Sequence, residues 1–352
     1  MIMHKEFLMG NAAIALGAVA AGVNVVAGYP GTPSTEVLET IAKHRPDDVY
    51  VEWSVNEKAA MELAAGASYA GARSMVTMKQ VGLNVASDPL MSLEYVGIKG
   101  GMVILVADDP GPISSQTEQD TRHFSRFSKL PCFDPSSAQE AYEMIQEAFE
   151  YSEKYGTPVF LRPTTRVCHG YASIMVKDET EYTHHQPEGF IKDSKRWVIF
   201  PRLSFMNHKK IEARNQELSD IFSSYEKNTI HPSCDAFKDS KKGIATGGIS
   251  YTYTMETLKK TGMVKTLKIA TPHPFPEKLA VDFLSGLDEV LCLEELDPVI
   301  ERELIYICGK YHLPTRINGK LSGHTACAGE NTRDTITTYI NTVSWSYLPC
   351  HH

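Results

Sequence analysis

Three short stretches bring together residue types that can do chemistry. G-Y-P-G-T-P-S-T-E covers Gly28 to Glu36, S-V-N-E-K-A-A-M-E-L covers Ser54 to Leu63, and M-K-Q-V-G-L-N covers Met78 to Asn84. In the first, the rings of Pro30 and Pro33 stiffen a turn and Gly31 lets a ligand approach the backbone closely. Thr32 offers a hydroxyl to a ligand; Thr32 or Ser34 can equally cap the helix that follows. In the second, Glu57 sits in the first turn of a helix, where the dipole favours a carboxylate. It reads either as an ordinary first-turn acid or as a group that places a proton. In the third, Gln80 and Asn84 can hydrogen-bond the edge of a ring. Lys79 can bind a carboxylate or a phosphate, or it can be solvated.

Each stretch follows a short strand pattern: Val23 to Ala27, Val49 to Glu52 and Ser74 to Thr77. Ligands of open parallel α/β sheets bind at the carboxyl ends of the strands. Loops from three successive strands therefore converge on one pocket. An Ala- and Gly-rich helix, Asn56 to Ala70, starts from Asn56 as its cap. The rhythm continues with a helix over Leu83 to Ile98, interrupted near Asp88-Pro89. Gly101 to Ala107 is a continuous apolar run, as a parallel strand buried on both faces requires. A polar loop follows Asp108-Asp109-Pro110-Gly111. Then come a helix over Ser137 to Tyr155, stopped by Gly156, and a strand over Pro158 to Arg162.

The pattern predicts an α/β fold with two open, mainly parallel sheets. The first domain covers residues 1–172, a polar connector 173–240, a second domain 241–340 and a tail 341–352. Within the connector, Trp197 to Phe200 reads as a short strand and His208 to Tyr225 as a helix; His184-His185 reads as solvated. In the second domain, strands are expected at Gly243 to Gly248, Val264 to Ala270 and Glu289 to Glu294. Ser250 is the expected cap of a helix, and Gly247-Gly248 reads as a structural turn. Glu294-Glu295-Asp297 reads as an exposed strand-end or interface motif.

The chain has 352 residues and a net charge of −8, which argues against a nucleic-acid partner. The apolar stretch Met9 to Ala27 contains Asn11, Asn24 and several glycines and lacks a strong basic flank. It reads as a buried helix, about Gly10 to Ala21, and then a strand, so no membrane partner and a cytoplasmic location are expected. Seven scattered cysteines, none in a C-x-x-C pair, read as reduced thiols and exclude a ferredoxin-type cluster motif within this chain.

The three stretches, continued through M-K-Q-V-G-L-N-V-A-S-D-P-L and joined by L-E-E-L-D-P-V-I-E from Leu293 to Glu301, resemble the 2-oxoacid:ferredoxin oxidoreductases. Within that family the resemblance is to the alpha subunits of indolepyruvate-type enzymes. It covers almost the whole chain and is weakest from about Ala172 to Lys242. It implies a thiamine-diphosphate enzyme, with a pyrimidine-binding domain followed by a transketolase C-terminal-like domain.

By that resemblance Glu57 is the catalytic glutamate that hydrogen-bonds the aminopyrimidine ring nitrogen and promotes formation of the reactive ylid. Pro30, Gly31, Thr32, Gln80 and Asn84 join it in the cofactor site. Thr32 matches a threonine that touches the oxoacid, and Lys79, as a possible carboxylate binder, is a second substrate candidate. Pyruvate-type relatives carry a carboxylate-binding arginine where this chain has Asp108, so Asp108 marks the substrate position and points to aryl pyruvates. The family's G-D-G diphosphate and magnesium motif does not occur in the sequence. The resemblance therefore implies a shared site. A diphosphate-binding subunit or domain brings magnesium, a gamma-type subunit completes a hetero-oligomer, iron–sulfur clusters lie outside this chain, and ferredoxin accepts electrons. The implied reaction is oxidative decarboxylation of a 2-oxoacid to acyl-CoA and CO2. The alternatives are a non-catalytic scaffold of the same fold and a subunit for another 2-oxoacid.

Overall fold

The computed structural model describes residues 2–342. The chain forms two compact units, residues 1–217 and 218–352. The first opens with β1 (Met3–Met9), α1 (Gly10–Ala20), β2 (Val25–Gly28), α2 (Thr35–His44), β3 (Tyr50–Trp53) and α3 (Glu57–Tyr69). It continues through β4 (Ser74–Lys79), α4 (Gln80–Val96), β5 (Met102–Ala107), α5 (Thr121–Ser128), β6 (Cys132–Phe133), α6 (Ala138–Tyr155) and β7 (Val159–Leu161). Next come α7 (Thr165–His169), β8 (Tyr171–Lys177), α8 (Ser194–Trp197) and α9 (Pro201–Phe222).

Six strands form a parallel sheet in the order β3-β2-β4-β5-β7-β6. Every residue of β5 is buried, as its unbroken apolar run predicts. Ala60, Met61, Ala64 and Ala65 of α3 pack with Val76, Met78, Ile104 and Val106 in one core. Small side chains on that face let the helix sit close to the strands. The Ser137 hydroxyl accepts from the Glu140 amide at the start of α6, and Gly156 ends the helix at φ 59°.

Four local features differ from the sequence reading or were absent from it. First, α4 runs unbroken through Pro89. Proline removes the hydrogen bond to the carbonyl four residues back, here that of Val85, a residue that is 49% exposed. Second, β1 pairs antiparallel with β8 as a separate two-stranded sheet, a pairing too distant in sequence for local pattern to reveal. Third, Trp197 ends a one-turn helix and is not in a strand; its ring packs on Tyr69 and Phe190 under the Arg196 guanidinium. Fourth, α9 begins at Pro201, where a proline at the first helical position is favoured. His185, expected to be solvated, places its ring 2.8 Å from the Gly71 carbonyl.

The second unit contains β9 (Thr229–His231), β10 (Lys242–Gly247), α10 (Gly248–Thr261), β11 (Lys265–Ile269), α11 (Glu277–Leu284) and β12 (Glu289–Leu293). It ends with α12 (Val299–Tyr311), β13 (Arg316–Asn318) and α13 (Arg333–Thr342). Its sheet order is β13-β12-β10-β11-β9, parallel except for β9. The segment 173–240 contains strand structure as well as helices. It holds β8, which pairs with β1, and β9, which joins the second sheet. β13 and α13 complete the described part of the second unit, and Cys350 lies outside the described residues. No described helix is long and apolar enough to cross a membrane.

Glu94 of α4 is buried. It accepts from Arg214 of α9 at 2.9 Å and from the Thr157 hydroxyl at 3.3 Å. Burial pushes its pKa up from 4.5 to about 7, against the pull of Arg214, Thr157 and Lys129. The folded chain thus holds a proton that the unfolded chain has released. That contribution is fully present below pH 4.5 and is lost as the pH rises through about 7. Stability measured by urea unfolding should fall across this window. Glu94→Gln should flatten the slope, removing up to about 3 kcal/mol of pH dependence. Parallel profiles for the two proteins would refute this account.

Candidate functional site

β2 lies between β3 and β4 in parallel register, with Gly28 opposite both Trp53 and Thr77. The loops leaving these three strands therefore emerge side by side. The loop after β2 is braced from within: the Gly31 amide donates to the Thr35 hydroxyl, and the Ser34 hydroxyl donates to the Gly31 carbonyl, both at 2.9 Å. The Thr32-Pro33 peptide is cis. The side-chain amide of Asn11, buried in α1, donates to the Pro33 carbonyl at 2.6 Å and to Glu36 at 2.8 Å. Pro30 and Thr32 remain exposed at the loop's tip.

Glu57 begins α3, and the Asn56 side chain caps the helix by accepting from the Ala59 amide at 2.9 Å. The Glu57 carboxylate lies directly over Gly82, in the first turn of α4. A Cβ at Gly82 would stand 2.4 Å from Glu57 Oε1. Only glycine leaves room for the carboxylate there. Gly31 plays a similar part for Lys79, whose stem would meet a Cβ at 3.0 Å.

Gln80 is 1% exposed; its amide nitrogen donates to the Thr117 carbonyl at 3.2 Å, while Oε1 is buried without a protein partner. Lys79 Nζ reaches Gln116 Oε1 at 3.3 Å, and the Asn84 amide reaches Gln119 Oε1 at 3.0 Å. Ser114 Oγ donates to the Thr32 carbonyl at 3.3 Å. A single loop, residues 109–120, thus touches Thr32, Lys79, Gln80 and Asn84. The structure places these four residues, Pro30, Gly31 and Glu57 at the ends of three adjacent strands.

Asp108 departs from its expected role. Its side chain is fully buried and turns inward, away from the loop tips. It accepts from Arg162 Nε at 2.6 Å, the Thr121 amide at 3.0 Å and the Thr121 hydroxyl. Burial raises its pKa to about 6, against the pull of Arg162, with Asp120 adding to the rise. With its oxygens engaged in the interior, Asp108 offers nothing to a substrate. Asp109 accepts from the Ser114 amide at 2.9 Å and the Thr165 hydroxyl at 2.7 Å, and so shapes the loop.

In the second-unit motif the two glutamates are internal, while Asp297 stays exposed. Glu294 is 3% exposed and accepts from the amides of Val299, Ile300 and Glu301 at 3.0–3.1 Å. It satisfies the open amides at the start of α12, where the helix dipole favours an anion. Glu295 is also buried and accepts from the Asn331 amide at 2.9 Å. The two glutamates expected to be exposed are therefore braces, and only Asp297 is exposed as expected. Gly247-Gly248 opens α10 without a side-chain cap, and Ser250 instead bonds Asn331 at 2.9 Å.

Sequence reasoning missed Gly82, Asn11 and the buried Arg162. Gly82 carried a faint signal, a glycine just after a strand. Asn11 and Arg162 carried another, polar groups set in apolar surroundings.

The donor set fits one edge of an aminopyrimidine ring. A carboxyl group at Glu57 can face a ring nitrogen, and the unpartnered Gln80 Oε1 can accept from an amine. Glycines at 31 and 82 leave room for close approach.

Comparison with known proteins agrees with this fit. Residues 16–231 match the family described as pyruvate flavodoxin/ferredoxin oxidoreductase, thiamine diphosphate binding. Indolepyruvate oxidoreductase subunit IorA of Methanothermobacter thermautotrophicus is 43% identical over 324 residues, 91% of this chain and 51% of that protein. Its namesake from Pyrococcus horikoshii is 40% identical over 323 residues, 90% of this chain and 49% of that protein. The chain spans about half the length of these curated relatives. The 2-oxoglutarate:ferredoxin oxidoreductase from Magnetococcus marinus shares the fold at TM-score 0.74 and 17% identity, over 96% of this chain and 65% of that one. A split-gene transketolase shares it at TM-score 0.60 and 14% identity, over 95% and 96%. With the family matched over most of its length and the strand-end loops in place, this chain belongs to the thiamine-diphosphate-binding pyruvate flavodoxin/ferredoxin oxidoreductase family.

Proposed function

We propose that this chain forms the aminopyrimidine half of a thiamine-diphosphate site in a 2-oxoacid:ferredoxin oxidoreductase. The substrate is indolepyruvate or another aryl pyruvate. Oxidative decarboxylation yields CO2 and an acyl group taken by coenzyme A, and ferredoxin takes the electrons. The observation that carries the reading is the Glu57 carboxylate over Gly82 in the first turn of α4, the same turn that holds the buried Gln80 with its unpartnered Oε1. The substrate class draws support from the relatives, which are named for indolepyruvate.

When bound, thiamine diphosphate supplies the carbanion stabilisation that decarboxylation needs. Glu57 holds a proton against the ring nitrogen. Gln80 accepts from the ring's amine through Oε1, and Asn84 borders the ring edge. Pro30 and Gly31 present backbone to the cofactor. The Thr32 hydroxyl and the Lys79 ammonium orient the 2-oxoacid, Lys79 by charge. A diphosphate-binding subunit or domain holds magnesium, a gamma-type subunit joins the assembly, and the iron–sulfur clusters lie outside residues 1–352. The assembly works in the cytoplasm, in keeping with six free cysteines among the described residues.

The test is substrate selection by the assembled enzyme. Its kcat/KM for indolepyruvate or phenylpyruvate should exceed that for pyruvate by about tenfold or more, since a binding pocket discriminates several carbons of apolar surface easily. A preference for pyruvate would overturn the aryl assignment.

A further inference from the structure

Loop 109–120 hydrogen-bonds Thr32, Lys79, Gln80 and Asn84 at 3.0–3.3 Å. Three of these four bonds are 3.2–3.3 Å long, and three of the four are exposed. Bonds of this kind do not by themselves hold a twelve-residue loop in register. Something else must fix it.

The fixing point lies beneath the loop. Its first stem leaves β5 at Asp108 and its second meets α5 at Asp120. Both side chains face one guanidinium. Arg162 Nε hydrogen-bonds Asp108 at 2.6 Å, whereas Arg162 Nη2 makes no hydrogen bond and faces Asp120 as an ion pair at 3.8 Å. The third side of that guanidinium reaches Asp134 at 3.3 Å. Thr121 closes the stems directly, its amide and hydroxyl both donating to Asp108. Arg122 grips Asp120 from the other flank, through Nε at 2.9 Å and Nη2 at 2.6 Å. All of these groups are buried: Arg162 is 2% exposed, Asp108 0%, Asp120 6%, Asp134 2% and Arg122 3%.

A planar, rigid fork with donors on three sides can hold three carboxylates at fixed angles. Burying such a cluster contributes little net stability, because desolvation offsets much of the attraction. Its geometry, in contrast, is strict. A stem that slips leaves a charge buried without its partner, which is strongly disfavoured. The cluster is therefore suited to fixing a conformation more than to stabilising a core.

We propose that Arg162 is a positioning residue: it clamps both stems of loop 109–120, so that Gln116, Thr117 and Gln119 hold Lys79, Gln80 and Asn84 facing the site. Arg162 touches neither cofactor nor substrate. Its effect on turnover rests on the functional reading above; its effect on the loop does not.

Two variants test the clamp. Arg162→Lys keeps the charge but replaces the fork with a single point that cannot reach three carboxylates. Thr121→Val removes one tie between the stems and leaves all five charged groups in place. Amide hydrogen exchange is measured in the chain, and steady-state kinetics in the assembled enzyme. Both variants should exchange about tenfold faster or more across residues 111–120, with protection in β4 and β5 unchanged. KM for the 2-oxoacid should rise about tenfold while kcat stays within about threefold, because substrate-orienting groups are loosened and the Glu57 carboxylate is not. Wild-type exchange in the loop of folded Arg162→Lys or folded Thr121→Val would overturn the proposal. If Arg162→Lys fails to fold, Thr121→Val decides by the same criterion. Faster loop exchange beside a wild-type assembly that turns over no 2-oxoacid would support the clamp and refute the functional reading.

Discussion

Glu57→Gln is expected to lower kcat of the assembled oxidoreductase by about two to four orders of magnitude, the usual span for losing a positioned proton-handling group. Its melting temperature should stay within about three degrees of wild type, since Gln has the same shape and suits a first helical turn. The carboxyl group is needed because an amide cannot exchange a proton with a ring nitrogen. Gly82→Ala probes the same point from the other side. A methyl group there would stand 2.4 Å from Glu57 Oε1 and 2.6 Å from its Cγ. The flexible end of Glu57 must then swing aside, and a displacement of about 1 Å can lower turnover about a hundredfold. If Glu57→Gln keeps near-wild-type turnover, the assignment of Glu57 fails.

The isolated chain is expected to bind thiamine diphosphate only weakly, and to bind it tightly once a diphosphate-binding subunit is added. Most of the cofactor's charge lies in its diphosphate, whose tight capture needs magnesium with oxygen ligands. The site described here offers a few hydrogen bonds, each worth about 0.5–1.5 kcal/mol net. Immobilising a ligand costs at least about 4 kcal/mol. The two nearly cancel. The surrounding rim has the character of a contact surface. Tyr29 is 41% exposed, Trp53 39%, Val55 84%, Val85 49% and Ile113 57%. Exposed apolar groups clustered around a half-site suit burial against a partner. Calorimetric titration with thiamine diphosphate and magnesium, without and then with the second subunit, makes the comparison. Micromolar affinity in the isolated chain would mean that it holds a whole site.

The candidate site was largely legible in the amino-acid sequence, for local reasons. Period and apolar runs specify which segments become parallel strands, and the carboxyl ends of such strands are where loops can gather. Asn56 as a cap, Ser137 and Gly156 as the limits of α6, and Gly31 in a tight turn all act within a few residues of themselves. Pro89 misled because the cost of its missing hydrogen bond depends on how α4 sits on the surface, and that is set by the packed chain.

Partner choice over long distances was a matter for the tertiary structure alone. Asp108 reads as a strand-end acid at a loop mouth, yet Arg162, 54 residues later, draws it into the interior. Glu294 reads as an exposed acid until α12 brings its open amides against it. The contact of Glu57 with Gly82 joins two helices whose separation no period encodes. Sequence pattern determined which elements form and where their loops point. Folding decided which charged side chains leave water, because a buried charge needs a partner that only the assembled sheet can bring within reach.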